Sequence, residues 1–212
     1  MSFPFYKNFL LTLISIGLLN HLSFSQAYSL KITKSTIVID TLSLAGYETN
    51  FTQSYEEVKK GWWKYIKGKA HIENYFTHYE LKIPDSDRNA NKPLFLVSKL
   101  TGSDSIQFRT LSLGLRIHNL GEDQIPTIDA EVKNMLLEFK TDFFVSKVEN
   151  EIKAQEKRSR KLSTQLEKLR KDKKREEMDS VSLAAKEKGI LLGLKQIDEN
   201  LDRLKIQLQE IK

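Results

Sequence analysis

A repeating apolar stripe in the C-terminal third of the chain constrains the fold more than any other feature. Leucine and isoleucine recur there at heptad spacing, at Leu183, Ile190, Leu194, Ile197, Leu201, Leu204, Leu208 and Ile211. On an α-helix this spacing makes one narrow stripe that must pack against another helix. The pattern continues upstream with polar interruptions, at Val145, Val148, Ile152, Leu162, Leu166 and Leu169. Residues 147–212 are therefore predicted to form a coiled-coil arm.

The first 27 residues are predicted to be a secretory signal peptide. Lys7 precedes an apolar run over residues 9–19, and mostly small residues follow at 23–27. The run has about eleven residues, whereas a membrane-spanning helix needs roughly 20. Cleavage is expected after Ser25 or after Ala27, and the alternative is an uncleaved membrane anchor. The mature chain is expected to be exported and soluble, either periplasmic or secreted.

The chain contains no cysteine. As an exported protein it would therefore have no disulfide bonds and no cysteine-linked lipid. The stretch Leu-Ser-Phe-Ser-Gln at 22–26 resembles the signal-peptide ends of exported Bacteroidota proteins. A small α+β domain followed by a Lys/Glu-rich coiled coil is also similar to uncharacterised exported proteins of that group. The resemblance implies an architecture and no activity.

Residues 28–146 are predicted to form a small α+β domain. Strands are expected at 35–40, 70–83, 94–100 and 105–118, and residues 46–52 form a second strand or a loop. Because strands joined by short turns pair antiparallel, the predicted fold class is α+β. It consists of a small antiparallel sheet with helices packed on one face, followed by a long C-terminal α-helical coiled-coil hairpin.

Local signals mark the ends of several elements in this domain. Ser54 and Glu57 have the spacing of a capping box, which predicts that a helix begins there. Gly68 is placed to end this helix in the left-handed conformation. A slip in the alternation near Asn74 indicates a bulge within the strand at 70–83. The last helical region begins near Pro126, and its apolar residues Val132, Leu136, Phe139 and Phe143 are predicted to pack on the sheet.

The arm is predicted to reverse once, near residues 176–180. Ser180 can cap a second helix there, and that helix would return Lys212 towards the body. Residues 153–175 carry 11 Lys/Arg and 3 Asp/Glu, whereas residues 176–212 carry 6 and 8, so opposite net charge favours the antiparallel hairpin. The alternative is one continuous helix in an intermolecular coiled coil.

No pattern in the chain predicts catalysis, a metal or a cofactor. His71 and Glu73 share one face of the predicted strand, and His78 is expected on the other face unless a bulge intervenes. Three or four convergent ligands are needed for zinc, and no close histidine pair is present. An enzyme would require His71, Glu73 and Asp85 to converge, and the sequence gives no reason to expect this.

Two surfaces are candidates for binding. Trp63 follows the core residue Trp62 on the first helix, and its half-exposed ring is a candidate platform beside Tyr75 or Tyr79. The second surface is the basic run of the arm, with partner-binding candidates Lys157, Arg158, Lys161, Lys168, Lys171 and Lys174. A solvated coiled-coil face is the alternative interpretation of this run.

The sequence favours a non-enzymatic exported protein that engages envelope partners through its basic arm. The arm would bind envelope proteins or a second copy of itself, or an acidic lipid or another polyanion. Nucleic acid is an unlikely partner because the run has no aromatic residues that could stack on bases. The alternative is a ligand- or glycan-binding module in the α+β domain, with the arm used only for oligomerisation.

Overall fold

The computed structural model of the chain describes residues 28–84, 93–103, 107–116, 125–174 and 180–211. The elements in chain order are β1 (Thr33–Ile39), β2 (Leu42–Phe51), α1 (Tyr55–Lys67), β3 (His71–Asn74), β4 (Tyr79–Ile83), β5 (Leu94–Thr101), β6 (Arg109–Leu115), α2 (Ile125–Lys174) and α3 (Ser180–Ile211). None of these described helices is long and apolar enough to cross a membrane. The predicted signal peptide with its cleavage sites, Asp85, His118 and residues 176–179 lie outside the described residues.

The strands form one antiparallel sheet in the order β1-β2-β6-β5-β4-β3, which confirms the predicted α+β class. One face of the sheet is covered by α1 and α2. Buried side chains on that face include Phe51, Leu81, Leu96, Leu111 and Leu113, and they belong to the main hydrophobic core. Residues 46–52, for which the sequence indicates a strand or a loop, belong to β2 except for Thr52.

The sheet curls towards its other face. The Lys99 ammonium on β5 donates a hydrogen bond to the Val38 carbonyl on β1 at 3.0 Å, although two strands lie between β5 and β1. A Cβ atom on Gly114 of β6 would lie 3.0 Å from both Ile37 Cδ1 and Leu44 Cβ. Because glycine has no side chain at this position, β1 can fold over β6. Ile37, Ile39, Leu44 and Val97 form a small second core on this side.

Helix α1 begins as predicted and ends differently. The Ser54 side chain accepts a hydrogen bond from the Glu57 backbone N–H, and the Glu57 carboxylate accepts one from the Ser54 backbone N–H, so the capping box is confirmed. Gly68 has φ −88° and is right-handed, so the predicted left-handed stop is wrong. The Lys69 and Ala70 N–H groups both donate to the Ile66 carbonyl, which satisfies the helix end without a left-handed residue.

The predicted single strand at 70–83 is wrong, because the chain turns back in its middle. β3 and β4 pair antiparallel, and the Tyr75 N–H donates to the His78 carbonyl at 2.9 Å across a two-residue loop. The slip in alternation near Asn74 was therefore a turn and not a bulge. Since directly paired residues point to the same face, His78 shares a face with Glu73, contrary to the prediction.

The long helix α2 packs on the sheet through its first five turns. Val132, Leu136 and Phe139 are buried as predicted, and Phe143 is half-buried. The Phe139 and Phe143 rings lie 5.7 Å and 5.5 Å from the Phe51 ring of β2. These contacts set the direction in which the rest of α2 leaves the body.

Helices α2 and α3 pack against each other as an antiparallel hairpin, which confirms the favoured arrangement over one continuous helix. Arg170 pairs with Glu187 at 2.9 Å, and the Leu162 side chain lies against Gly193. The residues of the predicted stripe are all buried or half-buried. Knobs-into-holes packing along the whole seam stays a prediction.

The base of the hairpin is continuous with the core of the body. Leu204 and Ile211 of α3 belong to the same buried cluster as Phe144 and Val148 of α2 and the residues of the sheet. Tyr28 also packs there, with its ring 4.7 Å from that of Phe144. The hydrophobic core thus extends past residue 146, where the boundary between body and arm was predicted.

Candidate functional site

Hydrogen bonds at the base of α2 fix the orientation of the arm. The Tyr47 hydroxyl donates to Asp129 at 2.7 Å, and this bond lowers the pKa of the Asp129 carboxyl. Nine residues further along α2, the Glu138 carboxylate accepts hydrogen bonds from Lys69 and from the Tyr65 hydroxyl, both at 2.9 Å. The hydrogen bond from Lys69 is the main reason that the pKa of Glu138 is lowered. The helix is held to β2 and to the end of α1.

Beyond Ile152, α2 leaves the continuous core and packs against α3. The 22 residues from Lys153 to Lys174 extend about 33 Å at 1.5 Å per residue. Leu166 is buried in this part of the seam, as are Leu183 and Ile197 of α3. The distal hairpin therefore offers two outer helix faces and little enclosed volume.

A basic stripe runs along the outer face of α2 between Lys153 and Lys171. It consists of Lys153, Lys157, Arg160, Lys161, Lys168 and Lys171, which all lie within an arc of about 100° at 3.6 residues per turn. All six residues are exposed, and Lys157 and Arg160, together with Thr164, also line a shallow open groove. The apolar seam residues Leu162 and Leu166 are centred on the opposite side of the helix. The stripe therefore points directly away from α3.

The charges of the basic stripe are not neutralised within the described part of the chain. The ion pairs formed there involve none of its six side chains. Lys153, Lys157 and Lys161 follow one another at four-residue steps, and each like-charge pair at that spacing costs an isolated helix about 0.2–0.5 kcal/mol. An acidic partner lying on the stripe would remove this repulsion and gain attraction along its length.

The structure divides the predicted partner-binding residues into groups. Lys157, Lys161, Lys168 and Lys171 lie on the basic stripe, whereas Arg158 is exposed about 100° further round the helix. The side chain of Lys174 lies outside the described residues. Sequence reasoning omitted Lys153 and Arg160, although plotting the basic run at the helical repeat would have placed both on the stripe.

Trp63 lies where the prediction placed it, half-exposed and next to Tyr79. The residue is 38% exposed, and the centre of its ring lies 5.6 Å from that of the Tyr79 ring. Trp62 is buried and donates from Nε1 to Ser98 Oγ at 3.0 Å. Tyr75 instead stacks on His78 at 4.9 Å on the opposite face of the β3–β4 hairpin. Trp63 and Tyr79 can therefore form one platform, and Tyr75 is not part of it.

The histidine-containing face of the β3–β4 hairpin carries a small polar cluster. Glu80 accepts a hydrogen bond from Arg116 at 2.7 Å, and His78 Nε2 lies 3.9 Å from the same carboxylate. The Tyr75 hydroxyl donates to Glu73 at 3.2 Å. Among the described residues no three histidine, aspartate or glutamate side chains converge as metal ligands. Asp85, the third member of the hypothetical catalytic group, lies outside them.

Comparison with known proteins identifies no relative of this chain. No protein-family model matches the chain, and neither the curated proteins nor the solved structures contain a significant match.

Proposed function

We propose that this chain is a non-enzymatic exported protein that engages acidic envelope partners through the basic stripe of its helical hairpin. It would be periplasmic in a bacterium with two membranes. The observation that carries the proposal is the stripe itself: six cations on one outward face, turned away from the seam and not paired within the described residues.

The way the hairpin is built supports an interaction role for this stripe. Arg170 belongs to the same basic run, yet it is used internally to pair with Glu187 of α3. Packing of α3 against α2 therefore pairs Arg170 with a carboxylate and leaves the six cations of the basic stripe facing solvent. A rigid projecting helix with fixed charges favours fast encounter with an acidic surface, and the effect weakens as salt screens the charges.

Charge reversal at matched positions tests the proposal. The first variant carries Lys157→Glu, Lys161→Glu and Lys168→Glu. The control carries Lys60→Glu, Lys64→Glu and Lys67→Glu in α1, three exposed lysines of the body, and has the same net charge. Both variants should keep the wild-type circular dichroism, because all six side chains are exposed.

Crosslinked co-purification from native cell envelopes then compares the three proteins. We expect partners that are retained by the wild type and by the α1 control and lost by the α2 variant. Their recovery should fall as salt in the wash rises. Equal recovery by all three proteins would reject the basic stripe as the binding surface.

A second candidate function is binding of a small molecule or a glycan at the Trp63–Tyr79 platform. The half-exposed indole against a second aromatic ring favours it, since such surfaces stack on apolar ring faces. In that case the arm would serve only for oligomerisation. Fluorescence titration with glycans and a Trp63→Ala variant separates the two functions, because this substitution leaves the basic stripe unchanged.

A further inference from the structure

The exposed large apolar residues of the hairpin are distributed very unevenly between its two helices. Val181, Leu191, Leu192 and Ile206 are 74%, 45%, 58% and 55% exposed, and all four belong to α3. The described part of α2 carries only Ile125, at its first residue. An apolar outer face on one helix alone indicates that this helix packs against something beyond its own hairpin.

The outer face of α3 has a heptad pattern of its own. Val181, Ala185, Lys188, Leu192, Lys195, Glu199, Asp202 and Ile206 alternate at steps of four and three residues, and each is exposed. At 3.6 residues per turn they form a single stripe on the side of α3 opposite its seam with α2. α3 therefore carries two stripes, one covered by α2 and one open.

The open stripe is complementary to itself when two copies run antiparallel. Centring a two-fold axis between Leu192 and Lys195 places Val181 opposite Ile206 and Lys188 opposite Glu199. The same register sets Leu192 beside the aliphatic stem of Lys195, which can cover the leucine and keep its ammonium in water. Shifting the register by one heptad in either direction separates Val181 from Ile206.

We propose that two copies of this chain associate through the outer face of α3, antiparallel and in this register. The interface is isologous, so every contact occurs twice. Because α3 turns this face away from α2, the dimer leaves a basic stripe exposed on each outer side. Dimerisation does not depend on the proposed function of the basic stripe. The mixed apolar and charged composition of the α3 interface is typical of a transient association.

Charge exchange tests the register. Lys188→Glu and Glu199→Lys should each raise the dissociation constant about tenfold in sedimentation equilibrium, because an exposed ion pair becomes a repulsion twice per dimer. The double variant restores both pairs with reversed sign and should dimerise like the wild type. A double variant as weak as either single one would overturn the register. A wild type that stays monomeric at all concentrations would overturn the dimer.

Disulfide trapping gives an independent test, because the chain has no cysteine of its own. Ala185→Cys mixed with Asp202→Cys should form a crosslinked dimer under mild oxidation. Neither variant should crosslink with itself, since antiparallel packing separates equal positions by 17 residues, about 25 Å along the helix. Self-crosslinking of Ala185→Cys would instead show a parallel pair and refute the proposal. The triple Glu variant of α2 should trap equally well, so failure of the basic stripe and failure of the dimer are distinguishable.

Discussion

Lys140 should make the free energy of unfolding of this protein rise with pH in alkaline solution. Its side chain is 1% exposed and lies on the core side of α2. The ammonium donates to Thr49 Oγ1 at 2.5 Å and lies 5.3 Å from the centre of the Phe51 ring. No carboxylate among the described residues pairs with it. Burial alone lowers the pKa of Lys140 from its usual 10.5 to about 8.

The sign and size of the effect follow from linkage. Between pH 8 and 10.5 the unfolded chain binds a proton that the folded chain has released, so the free energy of unfolding rises with pH in that window. Below pH 8 both states are charged and the folded state bears the full desolvation penalty. At about 1.4 kcal/mol per pKa unit, this penalty amounts to roughly 3 kcal/mol.

Lys140→Met removes the charge and keeps most of the volume. Thr49 Oγ1 still donates to the Lys31 carbonyl at 2.9 Å, so the buried Thr49 hydroxyl keeps a hydrogen-bond partner after the substitution. We expect the variant to be up to about 3 kcal/mol more stable than the wild type at pH 7, and this advantage to vanish by pH 10.5.

Urea denaturation of both proteins between pH 7 and 10.5 measures this difference, and subtraction cancels the titration of all other groups. Lys133→Met, at an exposed position two turns earlier in α2, is the control and should give a difference near zero throughout. A pH-independent difference, or a wild type that is the more stable protein at pH 7, would refute a buried uncompensated ammonium.

Other substitutions test the packing. Leu204→Asp should lower the stability of the whole molecule by about 3–5 kcal/mol in a single urea transition, because Leu204 belongs to the core of the body; separate transitions for arm and body would contradict this. Gly46→Ala should yield little folded protein by circular dichroism, since the new Cβ would lie 2.2 Å from the Leu113 carbonyl oxygen. A variant with wild-type yield and melting temperature would show that β2 and β6 can move apart at this point. Trp62→Phe should cost about 1–3 kcal/mol in thermal or urea unfolding by leaving Ser98 without its partner, and an unchanged midpoint would mean that the hydrogen bond contributes nothing.

Features encoded by regular spacing were predictable from the sequence. The heptad stripe required a partner helix, and opposite net charge identified that partner as the other half of the arm. The Ser54–Glu57 capping box located the start of α1 because both hydrogen bonds are local. Trp62 lies four residues after Val58, so the helical repeat places both side chains on the core face, where they are buried.

Features that depend on distant contacts were not predictable. The turn between β3 and β4 contains Phe76 and Thr77 and lacks the glycine or asparagine that usually marks such a loop. Lys140 lies four residues after Leu136 on the core face of α2, where sequence reasoning expects a lysine to reach solvent. The N-terminal segment before β1 closes over it, and only the tertiary structure shows this.

The basic run itself was evident in the sequence, but its division into roles was not. The internal use of Arg170 depends on where Glu187 lies after the chain reverses, which the spacing within either helix does not reveal.

Photocrosslinking from single positions in living cells tests most directly whether partners bind to the basic stripe. A photoreactive amino acid replaces Lys161 on the basic stripe, and in separate strains Lys64 on α1 or Trp63 on the aromatic platform. We expect adducts with envelope components at Lys161 and few or none at Lys64. Adducts confined to Trp63 or Lys64, with none at Lys161, would contradict the claim that the basic stripe carries the interaction.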